Sequence, residues 1–182
     1  MKELSDRELL DLFAQPDSKN QAFSLLVKQY QQRLYWHIRK MVIDHDDADD
    51  LLQNTFMKAY QALENFREDS KIFTWLYRIA TNESITFLNQ KKRKVSTDLM
   101  KAVEKEGLNT QENSLVSGDR IQMKLQQALL TLPDKQRLVF NMKYFENMKY
   151  DEISAILGTS VGALKASYHL AVKKIEDFIR TH

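Results

Sequence analysis

Cysteine is absent from all 182 residues. That excludes disulfides, thiolate zinc sites and a cysteine nucleophile, and it fits a reducing compartment. Proline and glycine are almost as scarce, at two and four residues, and neither occurs between Pro16 and Gly107. So long a stretch without either punctuator is poor material for hairpins and good material for long helices. No run approaches the ~18 apolar residues that a membrane-spanning helix needs. The opening MKELSDRELLDLF alternates charge with leucine and lacks the continuous apolar core of a signal peptide. These absences predict a soluble, cytoplasmic protein without membrane insertion.

What is present is a chain 43% hydrophobic and 29% charged, with a formal net charge of +2. That suffices for one or two small cored domains. Apolar spacing is helical throughout. Phe23, Leu26, Val27, Tyr30, Leu34, Ile38 and Met41 form one stripe. Ala48, Leu52, Phe56, Ala59 and Leu63 form a second, and Phe73, Leu76, Ala80, Ile85 and Leu88 a less regular third. A leading helix over about residues 5–14 completes a four-helix first domain. The segment 95–118 is polar and lacks aromatics, so it reads as a linker with a short helical piece near Leu99–Val103. Helical periodicity returns with Ile121, Leu125, Ala128, Leu129 and Leu132, and Pro133 breaks the chain before the next helix. The expectation is an all-α protein with a domain over 1–94, a linker over 95–118 and a second domain over 119–182.

Charge is unevenly spread. Residues 1–65 carry eight basic and eleven acidic side chains, and residues 66–94 seven basic and three acidic. An acidic surface followed by a basic one suggests two different partners, although scatter over an ordinary surface gives the same counts. The acidic extreme is DHDDADD, residues 44–50. A calcium loop would need a glycine at its bend and a bidentate glutamate at its end, and a helical magnesium site would draw on a second acidic cluster. Neither is present, so no metal is expected. Asp46 or Asp47 is expected to cap a helix, where acids suit the positive end. Beyond the cap, Asp50, Gln53, Asn54, Met57 and Gln61 form an outward stripe, and an exposed methionine beside carboxylates suits a docking surface.

The most specific stretch is YDEISAILGTSVGALKASYHLAVKKIEDF. A short helix ends at Gly158, which can take the left-handed conformation, and Ser160 can cap the helix that follows. That helix buries Val161, Leu164, Tyr168, Ala171, Ile175 and Phe178. Two helices joined by a tight glycine turn form a helix-turn-helix, whose second helix enters the major groove. Its outward face holds Gly162, Lys165, Ala166, His169 and Lys173. The amides from Ser160 to Gly162 are placed to take a phosphate, and lysine can contact a guanine edge. An ordinary helical hairpin is the competing reading. Earlier in the chain, Phe66, Phe73, Trp75, Tyr77 and Phe87 interleave with Arg67, Lys71, Arg78 and the run Lys91-Lys92-Arg93-Lys94. Rings beside cations suit single-stranded nucleic acid, because bases stack on rings while cations hold phosphates. Phe73 and Phe87 are better read as core, and the basic run as either a nucleic-acid contact or a solvated helix end.

Taken in order, DDADDLLQNTFMKAYQAL, FTWLYRIATNE with KKRK after it, a polar linker and LPDKQRLVFNMKYFENMKYDEISAILGTSVGALKAS resemble regions 2 and 4 of extracytoplasmic-function sigma factors, the small two-domain members of the bacterial sigma-70 family. The resemblance implies a protein that binds core RNA polymerase and directs it to promoters. Its first domain would recognise and help melt the −10 element, and its second would read the −35 element as duplex. Catalysis would come from the polymerase, so neither an enzymatic activity nor a cofactor is expected of this chain, and an anti-sigma factor is a possible further partner. The resemblance assigns Asp49, Asp50, Gln53, Asn54 and Met57 to polymerase binding. It assigns Phe66, Arg67, Trp75, Arg78, Asn82, Lys91, Lys92 and Arg93 to −10 DNA, and Ser160, Gly162, Lys165, Ser167, His169 and Lys173 to −35 DNA. ALKAS (163–167) stands where many members have Thr-Val-Lys-Ser-Arg, and Leu170 where many have arginine, so this recognition helix carries fewer cations. Two other classes compete. A stand-alone helix-turn-helix regulator explains the C-terminus and leaves the first domain idle. A magnesium-dependent nucleotide pyrophosphohydrolase wants paired acidic clusters, and one cluster exists.

Overall fold

The structure, a computed structural model, describes residues 4–102 and 120–181, with side chains over 4–94 and 124–181. Among the described residues there are eight α-helices and no strand: α1 (Asp6–Phe13), α2 (Lys19–Val42), α3 (His45–Ala62), α4 (Ile72–Ala102), α5 (Arg120–Thr131), α6 (Asp134–Phe140), α7 (Tyr150–Leu157) and α8 (Val161–Thr181). A 3₁₀ turn, Leu63–Asn65, ends α3, and a π-helical turn, Asn141–Phe145, follows α6.

Helices α1 to α4 pack into the expected bundle around Leu26, Leu34, Ile38 and Leu76, each at most 1% exposed. The starts of α1, α3 and α4 are each fixed by a specific side-chain partner. Ser5 and Glu8 form a reciprocal capping box at α1. The N–H of Ile72, at the start of α4, donates to the Asp6 carboxylate at 2.9 Å, so α1 satisfies an end of α4 that its own flank leaves open. At α3 the cap is Asp44, which accepts from the N–H of Asp47 at 3.0 Å. Asp46 and Asp47, expected as caps, lie instead in the first helical turn beside the positive helix end. That backbone donor holds the Asp44 carboxyl below its usual range. The turn before it is made without glycine. Ile43 takes φ 70°, an unusual conformation for a β-branched residue.

The third apolar stripe is rotated from expectation. The residues of α4 that the bundle buries are Ile72, Thr74, Leu76, Tyr77, Ala80, Thr81 and Ser84, while Ile85 is 38% exposed. Hydroxyls sit in this core because the helix accommodates them: Ser84 donates back to the Ala80 carbonyl at 2.8 Å. Phe73 and Phe87 are half-buried. α4 passes residue 94 without interruption and continues to Ala102, so Leu99 extends this helix; Val103 and the rest of the expected linker lie outside the described residues.

In the C-terminal part α7 stops at Gly158, in the left-handed conformation at φ 63°, and the Ala163 N–H donates to Ser160 Oγ at 3.3 Å at the start of α8. Leu164, Ala171 and Ile175 are buried; Val161, Tyr168 and Phe178 are half-buried. One core cluster joins the bundle to Leu138, Val139, Met142, Met148, Ile153, Ile156 and Leu164. A smaller one holds Ala128, Leu132, Phe140, Ala171 and Ile175.

Candidate nucleic-acid interface

Three surfaces carry the residues singled out from the sequence. On α3, Asp50, Gln53, Asn54 and Met57 are all exposed, Met57 at 61%. Asp49 is half-buried and faces His45, one turn back, at 3.5 Å. The His45 ring is itself anchored, its Nδ1 lying 2.7 Å from the Tyr35 hydroxyl.

On α4, Trp75, Arg78 and Asn82 follow at three- and four-residue steps and share a face. Arg78 and Asn82 are exposed, and Trp75 is half-buried. Phe66, at the end of the 3₁₀ turn, packs on Trp75 with ring centroids 5.1 Å apart, which brings the exposed Arg67 to the same end of the helix. The basic run is divided among different partners. Lys91 pairs with Asp47 of α3 at 2.7 Å, Lys92 pairs with Asp134 of α6, and Arg93 returns to the azimuth of Trp75, roughly 27 Å along the rod at 1.5 Å per residue. Adjacent helical residues point about 100° apart, so a run of four cannot form one patch. It lies within α4, not at a helix end.

On α8, Gly162, Lys165, His169 and Lys173 are exposed along one side, with Ser160 exposed before them and Ser167 half-buried. Beyond its chain neighbours and the helix's own backbone, no heavy atom lies within 4 Å of where a Gly162 Cβ would stand, so the first turn is open to close backbone approach. Lys165 Nζ sits 5.8 Å from the Tyr150 ring centroid. On the opposite side Tyr168 stacks on Phe140 at 5.7 Å, and burial pushes its phenol up. Leu170 is 47% exposed.

Contacts between the bundle and the C-terminal helices were missed from sequence. Arg78 donates to the Ala155 carbonyl at 2.6 Å, Arg137 to the Met41 carbonyl at 3.3 Å and the Asn141 amide to the Lys40 carbonyl at 3.3 Å. His37, 1% exposed, places Nδ1 3.0 Å from Glu146 Oε1 and Nε2 2.9 Å from Thr81 Oγ1. A histidine within the Leu34–Ile38–Met41 stripe was the available signal, since a buried imidazole needs polar partners. Nothing in the spacing pointed to Glu146.

The arrangement is thus an acidic and amide-bearing face on α3, a ring-and-cation face on α4 and an exposed helix after a glycine turn. Known families combine the same parts. A family model described as Sigma-70 region 2 matches residues 26–94, and one described as Sigma-70, region 4 matches residues 122–175. The ECF RNA polymerase sigma-E factor of Escherichia coli (strain K12) is 29% identical over 188 residues, covering 98% of this chain and 96% of the relative. The RNA polymerase sigma-H factor of Pseudomonas aeruginosa is 30% identical over 184 residues, covering 96% and 94%. The chain belongs to the extracytoplasmic-function sigma factors of the sigma-70 family. Among solved structures, this sigma factor is similar to CnrH in its complex with the cytosolic domain of CnrY, at 25% identity and a TM-score of 0.69 over 97% of both chains. The sigma factor RpoE in complex with the anti-sigma factor NepR, from Bartonella quintana, shares the fold at 22% identity and a TM-score of 0.65, covering 87% of this chain and 96% of that one. Sigma-factor function in promoter-directed transcription follows from this membership, and a stand-alone regulator is not favoured. Among the described residues no helix is long and apolar enough to cross a membrane.

Proposed function

We propose that this sigma factor docks on core RNA polymerase through Asp49, Asp50, Gln53, Asn54 and Met57 of α3, and engages promoter DNA through two separate faces. The first, on residues 1–94, takes the −10 strand. Trp75 and Phe66 offer ring surface to unstacked bases, Asn82 a hydrogen-bonding amide, and Arg67, Arg78 and Arg93 cations for phosphate, with Lys91 and Lys92 reaching phosphate on leaving Asp47 and Asp134. The second, on residues 119–182, lays α8 in the major groove at −35. Lys165 and His169 face base edges, Ser160, Gly162 and Ser167 line the entry, and Lys173 reaches the backbone. Residues 95–118 join the two.

The carrying observation is the separation of surfaces by charge and helix. Asp50, Gln53, Asn54 and Met57 are exposed on α3, while Trp75, Arg78 and Asn82 lie on a different helix, α4, so docking through the first set leaves the second for DNA; the two helices meet at the Asp47–Lys91 ion pair. Polymerase supplies the chemistry, and the chain acts without enzymatic activity or cofactor in the cytoplasm. The solved complexes of RpoE with the anti-sigma factor NepR and of CnrH with the cytosolic domain of CnrY support expecting an anti-sigma partner for this chain. Run-off transcription with core polymerase on genomic fragments, with start sites mapped, tests the whole reading. Discrete starts that require the added chain are expected. A strong sequence-specific shift by the purified chain alone, with no core-dependent start, would instead establish a stand-alone regulator.

A further inference from the structure

Where the bundle meets the C-terminal helices, acceptors of one part occupy cations of the other. Arg78 donates to the Ala155 carbonyl at 2.6 Å, and Lys92 pairs with Asp134. Both cations belong to the face assigned to −10 DNA, so a backbone carbonyl and a carboxylate stand where phosphate oxygens would. Beneath them Glu146 seats its Oε1 against His37, whose other ring nitrogen meets Thr81. The π-helical turn delivers Glu146 to this point. The Glu146 N–H donates to the Asn141 carbonyl at 3.2 Å, and the Asn141 side chain is bonded to Lys40 of α2.

We propose that Glu146 is a latch that holds the C-terminal helices on the bundle in the free protein, and that the latched state withholds Arg78 and Lys92 from promoter DNA. This inference rests on the promoter-binding reading above. The latch is built to release. Glu146 Oε2 is buried without a hydrogen-bond partner, and the nearby Tyr77 hydroxyl donates to the Arg33 carbonyl at 3.3 Å. An unpaired buried carboxylate oxygen costs free energy on closing. Burial, with the Glu146 carboxylate beside it, also pushes the Tyr77 phenol up, which keeps that hydroxyl a neutral donor. Release is required by the DNA. Elements named −10 and −35 lie about 25 base pairs apart, roughly 85 Å of duplex at 3.4 Å per step. By contrast α8, the whole groove-reading helix, is about 31 Å long and packs on α7, which packs on α4. The docking face of α3 stays exposed in the latched state, so polymerase can bind first and opening can follow.

The cysteine-free chain allows a direct test. Asn89→Cys with Lys135→Cys places the protein's two thiols across the cleft between α4 and α6 that both residues line, and neither residue belongs to the DNA-facing sets. A short, reducible thiol cross-linker then fixes the latched state in the full chain. The bridged protein should still be captured by core polymerase yet give at least about tenfold fewer mapped run-off transcripts, equivalent to 1.4 kcal/mol, with recovery on reduction. Bridged protein that transcribes as well as its reduced form overturns the latch, and so does bridged protein that core polymerase no longer captures. Reduced protein that is captured but yields no promoter-dependent start brings down the promoter reading itself, and the latch with it. As a second measurement, Glu146→Ala should tighten binding of the free chain to a fluorescent single-stranded oligonucleotide by about tenfold, the scale of one charge-assisted hydrogen bond. Unchanged affinity with an intact helical circular dichroism spectrum would refute the latch.

Discussion

The Asp6 carboxylate accepts the backbone N–H of Ile72 at 2.9 Å, across 66 residues of chain. One acid from the shortest helix of the bundle thereby does for α4 what a local cap does elsewhere. Asp6→Ala should cost about 1 kcal/mol, the usual loss for an N-terminal cap. Asp6→Asn, which keeps an acceptor oxygen, should cost less. Thermal melts of the two variants check this, and equal losses would mean that the charge, not the acceptor, is what matters.

The Asp44 cap predicts a pH dependence. Its carboxyl is held below the usual aspartate value in the folded chain, first by the Asp47 N–H. A depressed folded pKa means that the unfolded state binds the proton more readily, so the stabilisation is present above the unfolded value and is lost as pH falls through the folded one. Asp44→Ala should therefore be less stable than wild type at neutral pH. The gap should close in acid, below the ordinary aspartate range. Denaturant midpoints measured at both pH values give the comparison, and a gap independent of pH would contradict the assignment.

Asp50 is exposed, so Asp50→Arg should change folding stability by no more than about 0.5 kcal/mol. If α3 meets polymerase, the same change reverses a charge at that contact and should weaken capture by core enzyme. A pull-down paired with circular dichroism separates the two effects. Undiminished capture would remove Asp50 from the docking face.

Asn82 sits on the exposed side of α4, two turns from Trp75. If that face handles unpaired bases, Asn82→Ala should slow open-complex formation on a duplex promoter more than on a template already mismatched across −10. Permanganate footprinting on both templates makes the comparison, and equal slowing would point to a structural role.

On α8, Lys165 and His169 are one turn apart and Lys173 a turn further. Losing a base contact should cost roughly 1–3 kcal/mol on the preferred −35 sequence and little elsewhere. Losing a phosphate contact should weaken all sequences alike and flatten the salt dependence by about one unit of slope. Lys165→Ala should thus reorder a panel of −35 variants in holoenzyme binding, and Lys173→Ala should not. A panel whose rank order survives Lys165→Ala would mean that the helix presents another face to the groove.

Helical content was legible in the sequence because a long stretch without glycine or proline leaves little else to form, and the turn at Gly158 was legible because one residue type suits a left-handed cap. The register of α4 was not. Tyr77, Thr81 and Ser84 are polar by composition; α2 supplies the partners of Tyr77 and Thr81, and Ser84 turns back on its own helix. The turn at Ile43 was equally hidden, since no propensity places a β-branched residue at positive φ. Asp50, Gln53, Asn54 and Met57 on α3 and Gly162, Lys165, His169 and Lys173 on α8 could be proposed from outward stripes, while Asp49 and Ser167 needed the family resemblance. What spacing cannot supply is the other side of a contact. Asp134, Ala155 and Glu146 are ordinary surface residues until α4 and α2 are laid against them.

Lys91 and Lys92 are neighbours on a continuous 31-residue helix, and one answers to Asp47 of α3 while the other answers to Asp134 of α6. The helix behaves as a protractor. A single step of about 100° sets the angle at which the bundle and the C-terminal helices are held around their common shaft. Inserting one residue upstream of the pair would turn both lysines off their marks together, and the two bodies would lose their shared zero without any change in the chemistry of either contact.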